Sequence, residues 1–348
     1  MYETFYGLSA KPFQLNPDPS FYFGSRGHRR AMAYLEYGLH QSEGFIVITG
    51  DVGAGKTTLV RSLLQKLDPD KIVAGQLVST QLDADDILRL VSAAFGLPNK
   101  GQEKADMLLA LEMFLVSVAA KGKRVLLLVD EAQNLTPRAL EELRMLSNFQ
   151  IGEHSLLQSF LIGQPEFRET MRTPEMLQLR QRVLASYHLG PLDLEETRAY
   201  IEHRLTHVGW KGNPAFQQDT FQAIFDFTGG VPRRINTLCD RLLLSGFLAG
   251  KETFSAREVG EVTQEMTEEA GGEALASYHP DGMEPAPRGT MAPAVAGGGG
   301  AAGGFAAQAA LLESRLVRLE REMADMRARL RAGAGELKQT TGKEDVTQ

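Results

Sequence analysis

Residues 50–57 read GDVGAGKT, a full match to the pattern G-x-x-x-x-G-K-[ST]. The apolar run FIVIT precedes them and the helix-like KTTLVRSLLQKL follows. That strand, loop, helix context is what a phosphate-binding loop requires. The backbone of Gly50, Asp51, Val52, Gly53, Ala54 and Gly55 can curl so that successive N–H groups face a phosphate, and the helix N-terminus adds partial positive charge. Lys56 can reach the outer phosphates, the Thr57 hydroxyl can ligate Mg²⁺, and Thr58 lies beside it at the helix start. A bound nucleoside triphosphate is the expectation.

A second group of residues could act on that nucleotide. In RVLLLVDEAQNL, an apolar strand delivers Asp130 and Glu131 to its C-terminal end, the edge at which open parallel sheets bind ligands. Asp130 would hold Mg²⁺, directly or through water, and Glu131 would polarise an attacking water. Alone, such a strand is ordinary; downstream of a complete phosphate loop it reads as the acid pair of a hydrolase. A lone aspartate would suit a switch or kinase, whereas Asp-Glu suits a hydrolase that positions water.

These residues need a scaffold. Apolar runs at 45–49, 72–78, 125–130, 157–162 and 184–189 read as strands, with amphipathic helical stretches such as ADDILRLVSAAFG and KADMLLALEMFLVSVAA between them. PRALEELRMLSNF has Thr136 as candidate N-cap and Pro137 at its first position. Near-continuous apolar strands separated by helices indicate an α/β fold with a parallel sheet covered on both faces. From Asp193 the pattern becomes all-helical, with capping-box spacing at Asp193/Glu196 and Ser255/Glu258. The expected organisation is an arm and helix at 1–43, a nucleotide-binding core at 44–192 and a helical lid at 193–267. Residues 268–310, rich in Gly, Ala and Pro, read as a flexible linker. At 311–331, Leu312, Leu316, Leu319, Met323, Met326 and Leu330 form a short heptad seam. Such a helix could pair with itself or with another protein, or lie on the chain's own surface. Residues 332–348 read as a disordered tail.

Bulk properties narrow the classes. The chain has 348 residues, 43% of them hydrophobic, enough for two domains and a tail. A net charge of −7 argues against a strongly basic nucleic-acid binder. The single cysteine, Cys239, excludes an internal disulfide framework, suits a reducing compartment and reads as a buried thiol. No signal-peptide pattern opens the sequence and no run approaches the ~18 apolar residues of a membrane helix. A cytoplasmic protein is expected, peripheral to the inner membrane only through a partner. Seven histidines offer one helical i, i+4 pair, His203 and His207, without an acid of the zincin type; that pair reads as lid surface.

With these motifs the chain resembles the AAA+ ATPases, and within them the ExeA-like branch, the general secretion pathway protein A type. The resemblance covers roughly residues 1–267. It rests on YGLSAKPFQLNPDPSFYFGSRGHRRAMAYLEYGL, ITGDVGAGKTTLVRSLL, LLLVDEAQNL and GGVPRRINTLCDRLL. The opening segment further resembles ATPases that accompany exosortase (PEP-CTERM) and exopolysaccharide loci of Gram-negative bacteria. The resemblance implies a P-loop NTPase core of five strands with the phosphate-loop strand at the centre, a C-terminal helical lid, ATP and Mg²⁺ as ligands, and homo-oligomerisation. Gln164 takes the sensor-one position, where Asn is common. Arg233 matches the sensor-two arginine, with Arg234 as alternative. Arg180 and Arg182 fit the place of an arginine finger supplied to a neighbouring subunit. Each assignment is physically reasonable, because a guanidinium binds phosphate oxygens bidentately and stabilises transition-state charge.

In AAA+ proteins the stretch before the phosphate loop commonly helps form the base pocket. His28 and Arg29 are candidates on that ground; equally, Phe13, Phe21 and Phe23 could simply pack the arm onto the sheet. Three functions follow. The leading one is a motor or switch ATPase with protein partners in polysaccharide or protein export. A DNA-binding regulator of the transposition or replication-initiation type is the alternative, against which acidic balance and the absence of a basic tail weigh. A small-molecule kinase would need a substrate pocket and base, and the paired acids suit it less.

Overall fold

The computed structural model describes residues 1–41, 44–78, 83–98, 101, 103–152 and 154–269. The expected linker (beyond its first two residues), the heptad helix at 311–331 and the tail at 332–348 lie outside the described residues. Nine strands occur among the described residues: β1 (Phe45–Gly50), β2 (Ile72–Val78), β3 (Arg124–Asp130), β4 (Gln150–Ile151), β5 (His154–Ser155), β6 (Leu157–Gly163), β7 (Val183–Leu189), β8 (Ala215–Phe216) and β9 (Thr253–Phe254). Five of them build one parallel sheet in the order β2-β3-β6-β1-β7, while β4/β5 and β8/β9 are two-residue pairings.

The sheet corrects one expectation. β6, not the phosphate-loop strand β1, is central, and β1 stands one place in from the β7 edge. Burial explains the order. β1 and β6 are buried along their whole length, whereas β7 leaves Ser186 exposed and Tyr187 and His188 half-buried, as an edge strand tolerates. The registers Thr49↔Gly163 and Val129↔Leu161 bring the C-terminal ends of β1, β3 and β6 to one rim.

Period-2 alternation sends side chains to both faces. Phe45, Val47, Leu127, Val129 and Leu161 face the layer of α4 (Ala84–Ala94), α5 (Lys104–Ala120) and α6 (Pro137–Leu146). Ile46, Ile48, Leu126, Leu128 and Phe160 face α2 (Arg26–Gln41) and α3 (Lys56–Lys66). α6 starts as expected: the Thr136 side chain accepts from the Ala139 N–H, and Pro137 fills the first position.

Three short helices, α1 (Tyr2–Tyr6), α7 (Pro165–Arg172) and α8 (Leu177–Arg180), also precede β7. Beyond it, four helices form a second packed group: α9 (Leu194–His207), α10 (Gln218–Thr228), α11 (Pro232–Leu248) and α12 (Ala256–Glu269). Asp193 caps α9 by accepting from the Glu196 N–H, but Glu196 does not close the box. Its carboxylate instead accepts from the Arg26 N–H at 2.7 Å, and the Arg26 guanidinium pairs with Asp193. Glu258 forms its half of the other box, accepting from the Ser255 N–H at 2.9 Å, but the Ser255 hydroxyl also donates to that carboxylate and accepts from the Arg257 N–H instead of that of Glu258. Cys239 is fully buried in α11, and burial pushes its thiol far above the ordinary range. His207 is exposed on the lid, as expected, with its ring against Phe21, while His203 is half-buried against Phe23.

The arm corrects a second expectation. Phe13, Phe21 and Phe23 pack against the helical group, not against the sheet. So do Tyr2 and Tyr6 of the opening helix (Tyr2–Tyr6), and Tyr6 Oη donates to the Lys251 carbonyl at 3.0 Å. Arg204 of α9 fastens the arm. Only 5% exposed, its guanidinium donates to the carbonyls of Pro12 (2.6 Å) and Gln14 (3.2 Å) and to Tyr200 Oη (2.8 Å), and stands 4.7 Å from the Phe21 ring centroid. A buried cation survives when each guanidinium nitrogen has a hydrogen-bond partner and an aromatic face lies beneath it. Among the described residues no helix is long and apolar enough to cross a membrane.

Candidate nucleotide site

The loop between β1 and α3 takes the shape its glycines allow. Gly53 and Gly55 have φ of 84° and 98°, and Gly55 leads directly into α3 at Lys56. Space is as limiting as conformation: a Cβ on Gly55 would stand 2.7 Å from His28 Nε2, and one on Gly53 would stand 2.5 Å from the Arg233 Cβ. Lys56, 6% exposed, extends along the loop, its Nζ donating to the carbonyls of Gly50 (2.5 Å) and Asp51 (2.9 Å). Burial lowers its pKa, opposed by the charges of Glu131 and Asp130.

Across the rim, Asp130 and Glu131 divide into two environments. Thr57 Oγ1 donates to Asp130 Oδ2 at 3.2 Å, and the Glu131 N–H donates to Asp130 Oδ1 at 3.0 Å. Asp130 is buried, which raises its carboxyl above the usual range. A hydroxyl beside a carboxylate is the hard-oxygen donor set that Mg²⁺ takes, so Thr57 and Asp130 fit that ion. Glu131 has φ 56°, the only positive φ outside glycine among the described residues. A non-glycine residue in this region is strained, and such strain concentrates at functional sites. Burial pushes its carboxyl up, but hydrogen bonds from Gln133 and Gln164 and the charge of Lys56 outweigh it and hold the group lowered, in its ionised form. Two carboxyls side by side are thus pushed in opposite directions.

An open cleft of about 390 Å³ joins these groups. One side carries Gly53, Lys56, Thr57, Thr58, Glu131 and Gln164. The other is built by the arm (Asn16, Asp18, Tyr22) and the helical group (Tyr200, Arg204, Asn236). Arg233 closes the phosphate end, its N–H donating to the Gly53 carbonyl at 3.2 Å. Of the remaining loop residues, Ala54 is buried and Val52 exposed.

The paired candidates are placed differently. Arg233 lines the cleft, while Arg234 donates to the Phe227 carbonyl and stands over the Phe227 ring. His28 reaches the loop, whereas Arg29 turns back to the Gly24 carbonyl. Arg180 donates to the carbonyls of Met171 and Thr173, and Arg182 to Ser147 Oγ; neither lines the cleft of its own chain. Gln164 donates through Nε2 to Glu131 Oε2 at 3.0 Å. Sequence reasoning did not single out Gln133, Tyr200, Arg204 or Asn236. Gln133 sits inside the quoted DEAQN, so a signal was there; Arg204 lies in a helix whose local pattern reveals nothing of its burial.

His28 also sets a pH response. Its Nδ1 is 2.7 Å from Ser25 Oγ, and burial lowers its pKa from the ordinary 6.5 to about 4. A depressed folded-state pKa means the unfolded chain binds the proton first, so stability is full above about pH 6.5 and is lost as pH falls towards 4. The contribution is about 3 kcal/mol. Urea midpoints of wild type and His28→Asn between pH 7 and 4 should show a shallower fall for the variant; equal slopes would place the pH response elsewhere.

Residues 39–171 match the AAA domain family. General secretion pathway protein A of Aeromonas hydrophila is 39% identical over 280 residues, covering 78% of this chain and 51% of that protein, so the chain spans about half the length of this relative. Two solved structures are similar in fold: the ORC2 protein of Aeropyrum pernix in ADPNP-ADP complexes (17% identity, TM-score 0.56, covering 74% of this chain and 72% of that one) and CDC6P from Pyrobaculum aerophilum (16% identity, TM-score 0.56, covering 73% and 70%).

Proposed function

The chain is an AAA+ protein of the P-loop fold and a relative of general secretion pathway protein A, and from that premise we propose that it is a Mg²⁺-dependent ATPase acting as a motor or switch in export. The observation that carries the reading is the convergence of Lys56, Thr57, Glu131, Gln164 and Arg233, from the sheet rim and the helical group, on one cleft, with Asp130 buried behind it and bonded to Thr57. The loop N–H groups and Lys56 bind the phosphates. Thr57 and Asp130 would hold Mg²⁺, which when bound would neutralise charge on the phosphate oxygens. Glu131, ionised, accepts a proton from the attacking water, and Gln164 orients that carboxylate. Arg233 contacts the terminal phosphate and links its presence to the helical lid, taken as residues 193–267. Arg180 or Arg182 completes the site of a neighbouring subunit, since each lies away from its own cleft.

The partner is proposed to be a protein of an export or exopolysaccharide-assembly system, supported by the likeness to general secretion pathway protein A of Aeromonas hydrophila for secretion and by the opening segment for exopolysaccharide. The DNA-binding alternative rests on fold likeness at 16–17% identity, which speaks for the fold alone. Phosphate release from ATP per subunit, measured against protein concentration, tests the proposal. Turnover should rise with concentration and vanish with EDTA. Turnover independent of dilution removes the shared-site arginine; turnover surviving EDTA removes the metal.

A further inference from the structure

Glu131 Oε2 receives two amide donors. Gln133 Nε2 donates to it at 2.6 Å and Gln164 Nε2 at 3.0 Å. The same Gln133 side chain uses its other end: Oε1 accepts from the backbone N–H of Gln164 at 3.0 Å. Gln133 therefore spans from the end of β3 to the end of β6 and closes a ring of three hydrogen bonds around the carboxylate. It sits in the 3-10 turn Ala132–Asn134, which starts from Glu131 with its left-handed backbone.

An amide is suited to this place. It offers a donor to a carboxylate and an acceptor to an N–H, which neither an acid nor an amine does. Hydrogen bonds to an ionised group are also the stronger kind. With Oε2 occupied by two donors, Oε1 is the oxygen left to face the cleft and take a proton from water. The strained Glu131 backbone leaves the side chain to be aimed by these contacts.

We infer that Gln133 is a positioning residue for the general base, fixing which carboxylate oxygen of Glu131 faces the attacking water and tying it to the Gln164 end of β6. The inference rests on the hydrolase reading above. Gln133→Met keeps length and volume but removes both polar ends. Gln133→Glu keeps an acceptor for the Gln164 N–H and loses the donor to Glu131. Both variants should lower kcat for ATP on the order of 10- to 100-fold, the cost of a misaimed catalytic group, with KM for ATP within a factor of about two and thermal midpoint little changed. In the Glu131→Gln background neither substitution should lower kcat further, because the group it aims is already gone. Wild-type kcat in Gln133→Glu would overturn the inference and reduce Gln133 to a prop for the β6 end.

A readout independent of turnover separates this from the hydrolase reading. In ¹⁵N spectra of the full chain, Glu131→Gln should shift the side-chain amide resonances of Gln133 and Gln164 together. Unmoved resonances would overturn the clamp whatever the enzyme does. Absent wild-type phosphate release, with the resonances moving, would overturn the hydrolase reading and leave the clamp standing.

Discussion

Glu131→Gln is expected to lower ATP turnover by ~10²–10⁴-fold, the range a general base contributes, while nucleotide binding persists. The reasoning is local. Glu131 is held ionised by Gln133, Gln164 and Lys56 although burial opposes it, and it is the acid of the pair that does not bond Thr57. Replacing its carboxylate by an amide preserves size and removes the proton acceptor. The loop and Lys56, whose Nζ donates to the carbonyls of Gly50 and Asp51, make no hydrogen bond to the Glu131 side chain, so the phosphate contacts keep their geometry. Single-turnover phosphate release and equilibrium titration with a fluorescent ATP analogue measure the two effects separately. Equal loss of binding and turnover would mean that Glu131 supports the loop and not the water.

Gly230→Ala should be the most damaging small substitution in the helical group. Gly230 has φ 71°, and a Cβ there would fall 1.9 Å from the Leu192 carbonyl oxygen. The two backbones are already bonded, the Leu192 N–H donating to the Gly230 carbonyl at 2.9 Å. The left-handed conformation alone costs about 1–2 kcal/mol for alanine, and the overlap forces the two segments apart at the start of α11. A total on the order of 3–5 kcal/mol is expected. Gly209→Ala is the control: φ is 82° but nothing lies within 4 Å of the added Cβ, so only the backbone cost of about 1–2 kcal/mol should appear. Urea unfolding of both variants decides. Because α11 begins with Pro232 and Arg233, Gly230→Ala should also weaken nucleotide binding, and Gly209→Ala should not.

Much of this was legible in the residues themselves. All five sheet strands lie within a residue of the runs read from hydropathy, because parallel strands buried on both faces leave unbroken apolar stretches. Gly50 to Thr57 and Asp130/Glu131 were legible because loop chemistry and strand ends restrict residue type. Sheet order was not: the central β6 carries Gln158 and Ser159, so polar residues such as Ser186 and His188 of β7 do not by themselves mark an edge. The destination of the arm was hidden for a different reason. Arg204 meets Pro12 across 192 positions, and no local pattern reports a contact of that range. Gln133 was visible as a letter but not as a role, since an amide has chemistry only through its neighbours.

The arm's position has a mechanical consequence. Tyr2, Tyr6, Phe13, Phe21 and Phe23 pack on the helical group, Tyr22 and α2 pack on the sheet side, and the chain returns to the helical group after Leu189. The backbone thus passes between the two groups twice. Both passages lie side by side, linked by Arg26 to Asp193 and Glu196. A lid on one strand can swivel freely; a lid on two adjacent strands resists twisting and folds about the line through both, like a door on paired pins. On the proposed function, torque applied by a nucleotide through Arg233 would be delivered along one arc, and the first residues of the protein would travel with the lid.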